Sequence, residues 1–306
     1  MTSRSSADDA MDLNRYLTTR RRQIDQALRR HLSGTRNPSL RRAMSYSVLS
    51  GGKRVRPVLC LAAAEAVGSD ASQVLDYACA LELIHAYSLI HDDLPAMDDD
   101  TLRRGKPTSH VVFGEAMAIL AGDALLTEAF HIAARRGLTG GAGSSRRALQ
   151  IQVELAAAAG AGGMIAGQVE DIRGEHRKLG LKAVEAIHRQ KTGALIRAAV
   201  RIGAVAADAD RAALSSLTRY AEHLGLAFQV VDDILDGQAT TAETGKTEDR
   251  DREREKSTFV SCLGPEKAKR AASELLDRAL ASLKRFDERA DPLRELARRV
   301  VSRAAC

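Results

Sequence analysis

Apolar residues recur at three- and four-residue intervals along most of this chain. "LRRAMSYSVLS" (40–50), "VLDYACALELIHAYSLIHDD" (74–93), "EAMAILAGDALLTEAFHIAAR" (115–135) and "AVEAIHRQKTGALIRAAVRIGAV" (183–205) each predict a helix, as do "LTRYAEHLGLAFQVVDDILD" (217–236) and two segments near 265–285 and 291–304. Several are apolar on nearly every face, which predicts central helices of a bundle. No run alternates in the manner of a strand. The expectation is an all-α fold, a helical bundle with one domain spanning 1–306. Residues 1–35 form an N-terminal extension and first helix, with flexible punctuation at "TGGAGSS" (139–145). A long, polar, charged excursion, "GQATTAETGKTEDRDREREKST" (237–258), has the length and composition of a functional lid loop.

Composition sharpens this picture. Hydrophobic residues make up 44% of 306 residues, but aromatics only 3%, with no Trp. Ala- and Leu-rich chains suit close-packed helices better than sheets. Cys60, Cys79, Cys262 and Cys306 have no metal-ligand spacing; unpaired thiols suit a reducing, cytoplasmic setting. "MTSRSSADDAMDLN" lacks the apolar core of a secretory signal. No unbroken run of about 18 apolar residues exists, so no membrane span is expected. The net charge of +6 would suit nucleic acid, but aromatics that stack bases are nearly absent. Basic residues interleaved with acidic clusters point to small polyanions held jointly by Lys/Arg and divalent metal.

"HDDLPAMDDD" (91–100) crowds five aspartates into nine positions. Pro95 disfavours helix at Leu94 and ends or bends the element there. On an unbroken helix Asp98 would lie about 120° round from Asp92; a break brings the two carboxylates together. Such a pair suits Mg²⁺, which accepts one or two carboxylates and completes its shell with water and phosphate oxygens. A second cluster, "FQVVDDILD" (228–236), puts Asp232 and Asp236 one turn apart on one face, with Gln229 a turn earlier. Carboxylates on an otherwise apolar helix are costly without a partner. Two opposed clusters would hold divalent ions around a diphosphate.

The basic partners are Lys53, Arg54 and Arg56 in "GGKRVRP" (51–57), Arg103 and Arg104 in "LRRGKPTSH" (102–110), Lys191 with Thr192 in "HRQKTG" (188–193), and Lys246 and Lys256 flanking Asp251. Arg gives planar, bidentate phosphate contacts and Lys a movable point charge. His85 shares a helical face with Asp92, two turns earlier.

These motifs occur in one order, and with them the chain resembles the trans-prenyl diphosphate synthases, most of all the bacterial short-chain type that makes farnesyl diphosphate. The resemblance runs from about residue 40 to 300 and rests on "GGKRVRP", "DDLPAMD" followed by "LRRGKPT", "GDALL", "GGMIAGQVED", "HRQKTG", "FQVVDDILD" and "GKTEDRDREREKSTF". It implies about ten core helices around a deep cavity, and a homodimer. It implies that Asp92, Asp98 and Asp232, with Asp93 and Asp236 behind, bind three Mg²⁺ around an allylic diphosphate gripped by Arg103, Lys191, Lys246 and Lys256. Lys53, Arg56, His85 and Arg104 would hold isopentenyl diphosphate, while Thr192 and Gln229 turn oxygens toward the developing cation.

The implied reaction is ionisation of the allylic C–O bond, attack by the isopentenyl double bond and loss of a proton. Helical geometry alone would put Ser88 beside the growing tail, a turn before Asp92. In the family, an aromatic five positions before the first aspartate forms a floor that favours the C15 product, and Tyr87 meets that pattern. The alternatives are a C20 or C10 diphosphate synthase, a terpene cyclase, or a non-catalytic synthase subunit. Both aspartate motifs and "GGKRVRP" argue against the last two. The chain departs from the family in a short, highly charged stretch after Asp236 and in the ending "SRAAC", which keeps Arg303.

Overall fold

The computed structural model describes residues 11–139, 143–236 and 256–304. Its architecture is all-α. The helices, numbered over the described residues, are α1 (Leu13–Ser33), α2 (Pro38–Val48), α3 (Val55–Ala66), α4 (Leu75–Asp92), α5 (Ser109–Phe113), α6 (Glu115–Leu138), α7 (Ser144–Ala159), α8 (Met164–Gly174), α9 (Leu181–His188), α10 (Ala194–Ala206), α11 (Arg211–Asp236), α12 (Phe259–Leu263), α13 (Pro265–Ser282) and α14 (Asp291–Ser302). One short ladder, β1 (Leu102–Arg103) with β2 (Lys106–Pro107), closes antiparallel over a turn in which Arg104 and Gly105 both have positive φ. Two such residues make the turn whose twist suits a tight hairpin.

Capping follows sequence chemistry. Asp12 accepts from the Asn14 and Arg15 backbones at the start of α1, and Asn37 does the same for α2 with Pro38 behind it. At the centre, α3, α4 and α10 bury almost every position of the middle turns. Small residues let these helices approach closely: a methyl on Gly203 of α10 would lie 2.1 Å from the Cys60 carbonyl of α3. The Ala-rich composition is therefore a packing requirement. A second apolar cluster, including Val184, Val230, Ile234 and Phe259, joins α9, the C-terminal half of α11, α12 and α13.

One finding corrects the sequence reading. The helix foreseen over 183–205 contains a π-helical turn, Arg189–Gly193, between α9 and α10. Segments 115–138 and 144–174 are long and apolar enough, by length and composition alone, to span a bilayer. The second is interrupted between α7 and α8 at Gly160–Gly163, and α6 packs along α4, α7 and α2.

Candidate active site

The first acidic cluster is shaped by the end of α4. The helix stops at Asp92, and the chain turns through Leu94–Asp99 so that the Asp98 N–H donates to the Asp92 carbonyl at 2.8 Å. Asp98 thus returns beside Asp92, as the Pro95 break predicts. Burial pushes the Asp92 carboxyl up to about 6; Lys191 opposes that shift, and Asp98 adds to it. Asp93 points elsewhere. It is buried and tied to Arg103, which donates through Nε at 2.6 Å, and Arg103 also lies 3.5 Å from Asp100. In this structure Arg103 braces the acidic turn.

The second cluster lies on the last turns of α11. Burial raises the Asp232 carboxyl; Arg303 on α14's C-cap lowers it from 3.2 Å, and Asp236 raises it further. Lys53 belongs to this neighbourhood: burial lowers its ammonium, and after burial the largest influences are Arg303 and then Asp232. Asp233, between the two proposed ligands, faces the core. Its Oδ2 accepts from the Phe259 backbone at 2.7 Å and lies 3.3 Å from His188 Nε2, while Gln229 Nε2 lies 3.3 Å from His188 Nδ1. One tautomer satisfies the set, with Nε2–H donating to Asp233 and Nδ1 accepting from Gln229. His188 stacks on Phe259, its ring centroid 5.5 Å away. This network fixes the π-helical turn to α11.

That turn carries Lys191 and half-buried Thr192. It sits hard against α8, because a methyl on Gly167 would lie 2.2 Å from the Lys191 backbone nitrogen. Single π-turns inside helices are frequent at functional sites. Lys191 is also the opposing charge that most lowers the Asp92 carboxyl. Its ammonium donates to Asp171 of α8 at 2.7 Å, and Lys256 donates to the same oxygen at 2.9 Å.

Arg56, His85 and Arg104 form a third group. Burial lowers the His85 imidazole well below its usual range, and Arg56 and Arg104 add to the shift, so the ring is neutral at neutral pH. Arg56 Nε is buried without a hydrogen-bond partner, a donor that an anion would satisfy. Arg104 donates to the Gly51 carbonyl, and its guanidinium lies over Gly52, where a methyl would come within 2.8 Å. The glycine pair admits that contact. Beside this group a cleft of about 490 Å³, open to solvent, is lined by Glu82, His85, Asp93, Arg103 and Arg104, with Tyr46 and Thr108. Arg54 differs from its basic neighbours. It is 4% exposed and bonded to Asp25, Glu82 and the Val48 carbonyl, so it is a strut within the core.

Tyr87 is buried and packs edge-on against His91, with ring centroids 5.7 Å apart. Its hydroxyl has no hydrogen-bond partner, and burial pushes it up to about 12. Ser88 turns back to donate to the His85 carbonyl at 3.0 Å. Lys246 and residues 237–255 of the foreseen lid lie outside the described residues.

Sequence reasoning did not single out Asp171, Asp233, His188 or Glu82. Asp171 stood in view in "GQVED", but the pattern does not tell which lysines it meets. Oxygen-only donors such as Asp92 with Asp98 suit a hard divalent ion. Among the described residues no three acidic, His or Cys side chains close into a ready-made metal cage. An ion held here would complete its shell from water and substrate oxygens.

The paired acidic ends, the flanking cations and the helical frame agree with comparisons to known proteins. The profile of the polyprenyl synthetase family matches residues 37–297. The chain is 49% identical to the farnesyl diphosphate synthase of Escherichia coli, over 91% of this chain and 93% of that protein. It is 43% identical to a chloroplastic geranylgeranyl pyrophosphate synthase of Catharanthus roseus, over 97% and 83% of the two chains. Its fold is similar to an apo crystal structure of an FPP/GFPP synthase from Zymomonas mobilis, with a TM-score of 0.84 at 36% identity, covering 94% of this chain and 98% of that one. The chain belongs to the polyprenyl synthetase family. It is a prenyltransferase.

Proposed function

We propose that this enzyme joins isopentenyl diphosphate head to tail to dimethylallyl and then geranyl diphosphate, releasing farnesyl diphosphate. The observation that carries the reading is the pair of acidic helix ends, Asp92 with Asp98 and Asp232 with Asp236, each beside lysine or arginine. Asp92, Asp98 and Asp232 would hold Mg²⁺, about three ions per site, with Asp93 and Asp236 behind them. When bound, Mg²⁺ supplies Lewis-acid neutralisation of the diphosphate as it leaves.

The chain's own residues divide the remaining work. Lys191 and Lys256, with Arg103 and Lys246, take the allylic diphosphate as its C–O bond breaks and the electron pair departs with oxygen. Thr192 and Gln229 direct oxygen dipoles toward the carbon that becomes positive. The Gln229 amide nitrogen already faces His188, which favours its oxygen as the end presented to substrate. Lys53, Arg56, His85 and Arg104 hold the second diphosphate, so that the isopentenyl double bond attacks that carbon. The positive charge passes to C3 of the isopentenyl unit, and a proton then leaves its C2, with the departed diphosphate as acceptor, so that a new C2=C3 double bond forms.

The C15 length rests on Tyr87, whose buried ring meets the family's floor position. The C20 alternative draws on the plant relative. An assay of purified protein with Mg²⁺, isopentenyl diphosphate and geranyl diphosphate, resolved by chain length, tests the reading. It predicts mainly C15, and a main product of C20 or longer would reject the Tyr87 floor.

Two further properties belong to the proposal. The exposed large apolar side chains among the described residues all fall between Leu102 and Ile172, with Leu120 56%, Leu149 66% and Val153 62% exposed. Such a concentration supports a homodimer formed through α6 and α7. The thiols of Cys60, Cys79 and Cys262 are unpaired, which fits a cytoplasmic enzyme.

A further inference from the structure

We infer that Asp171 is a positioning residue, a fixed counter-ion that gathers the ammonium groups of Lys191 and Lys256 into one cationic pair for the allylic diphosphate. The inference rests on the reading above and assigns a role to a side chain outside the proposed metal and substrate contacts.

The geometry is specific. Lys191 comes from the π-helical turn before α10, and Lys256 from the far end of the chain, just before α12. Both donate to one carboxylate oxygen, Asp171 Oδ2, at 2.7 and 2.9 Å, and Glu175, one turn along α8, lies 3.6 Å from Lys256 Nζ. Two ammonium groups sharing one oxygen repel each other, and without the carboxylate they would part. Burial alone would push the Asp171 carboxyl up, but Lys191 and Lys256 together outweigh it and hold the acid below its usual range. Asp171 therefore stays ionised at neutral pH.

The carboxylate is also rigidly placed. Gly167, one turn earlier on α8, lets that helix touch the Lys191 backbone, so the distance from Asp171 to Lys191 is set by backbone packing. On the other side, Lys191 is the largest opposing charge at Asp92. Lys191 thus lies between a permanent anchor and the acidic end of α4. Long lysine side chains lose much rotamer freedom when they bind an anion, and holding both on one anchor removes part of that cost before substrate arrives. Two ammonium donors on Oδ2 give Asp171 the contacts of an anchor.

Asp171→Asn removes the charge and keeps the shape. KM for geranyl diphosphate should rise about ten-fold, the usual size for one charge-assisted contact, with kcat changing less and the melting temperature nearly unmoved. Asp171→Glu should recover part of the loss. In a Lys256→Met background the same Asp171→Asn change should add less than about two-fold, because one of its targets is gone. An unchanged KM, or a full ten-fold loss in that background as well, overturns the inference. Should Asp171→Asn fail to fold, lysine acetylation of the wild-type enzyme read by mass spectrometry carries the test. Titration with inorganic pyrophosphate and Mg²⁺ should protect Lys191 and Lys256 with one shared midpoint, and separate midpoints overturn the pairing. A wild-type protein with no condensation activity would instead sink the functional reading beneath it.

Discussion

Arg54 Nη1 donates to Glu82 Oε1 across 2.7 Å, and neither residue is more than 4% exposed. The pair ties the "GGKRVRP" loop to the middle of α4, and Arg54 adopts the left-handed backbone conformation at the start of α3 to reach it. It thereby sets where Lys53 and Arg56 stand. Removing one member of a buried ion pair strands the other charge, at a cost of about 3–5 kcal/mol. Arg54→Met should therefore lower stability by that order in urea unfolding. Arg56→Met, which removes a proposed substrate contact, should leave stability much closer to wild type and raise KM for isopentenyl diphosphate. Equal melts for the two variants would contradict this division of labour.

A methyl group on Gly167 would sit 2.2 Å from the Lys191 backbone nitrogen, where neither helix can yield by rotating a side chain. Gly167→Ala should cost roughly 1–3 kcal/mol, as overpacking does, and displace the π-helical turn. Turnover should fall further than stability explains. Retention of full kcat at a temperature where the variant is folded would show that the turn's placement is unimportant.

Asp92 carries a raised carboxyl pKa of about 6, chiefly through burial. A group easier to protonate when folded penalises the folded state once it is charged in both states, hence above about pH 6. The penalty shrinks as pH falls through about 6, and vanishes only at about pH 3, below the unfolded carboxyl's own range, where both states are protonated. In metal-free buffer Asp92→Asn should therefore be more stable than wild type at pH 7.5, by an amount on the order of 1–2 kcal/mol after allowing for partial solvent screening. The gain should shrink to a small fraction by pH 4. Thermal melts at the two pH values measure it, and a gain that grows on acidification would show the sign to be wrong.

Leu149 and Val153 project from α7 one turn apart, 66% and 62% exposed. If the proposed dimer forms through this face, Leu149→Glu with Val153→Glu should convert it to a monomer in light scattering after size-exclusion chromatography. The monomer's helical content should be unchanged, because neither side chain packs in the protomer's core. A wild-type monomer, or an unaffected dimer, would rule out this face as the interface.

Much of this is legible in the sequence alone. Period-3.6 patterning found the main helices, and the proline rule at Pro95 correctly returned Asp98 to Asp92, since both effects are local. The π-helical turn at Arg189–Gly193 was not legible, because one extra residue in a turn barely disturbs a short apolar pattern. Arg54 looked like its basic neighbours; only the fold brings Asp25 and Glu82 to it. Asp233 was passed over for Asp232 and Asp236 because they share a face. Its own face points at His188 and the Phe259 backbone, partners that sequence spacing cannot supply. Asp171 escaped for the same reason, since its two lysines come from segments joined only in three dimensions.

The ends of α4 and α11 would together hold the metal-bound diphosphate while the allylic bond breaks. Single-turnover rates of Asp92→Ala and Asp232→Ala with geranyl and isopentenyl diphosphates and Mg²⁺ test it most directly, with circular dichroism as the folding control. Each rate should fall by about three orders of magnitude or more, on the scale of losing a principal electrostatic stabiliser, with helicity intact. Near-normal rates in both variants would contradict the account.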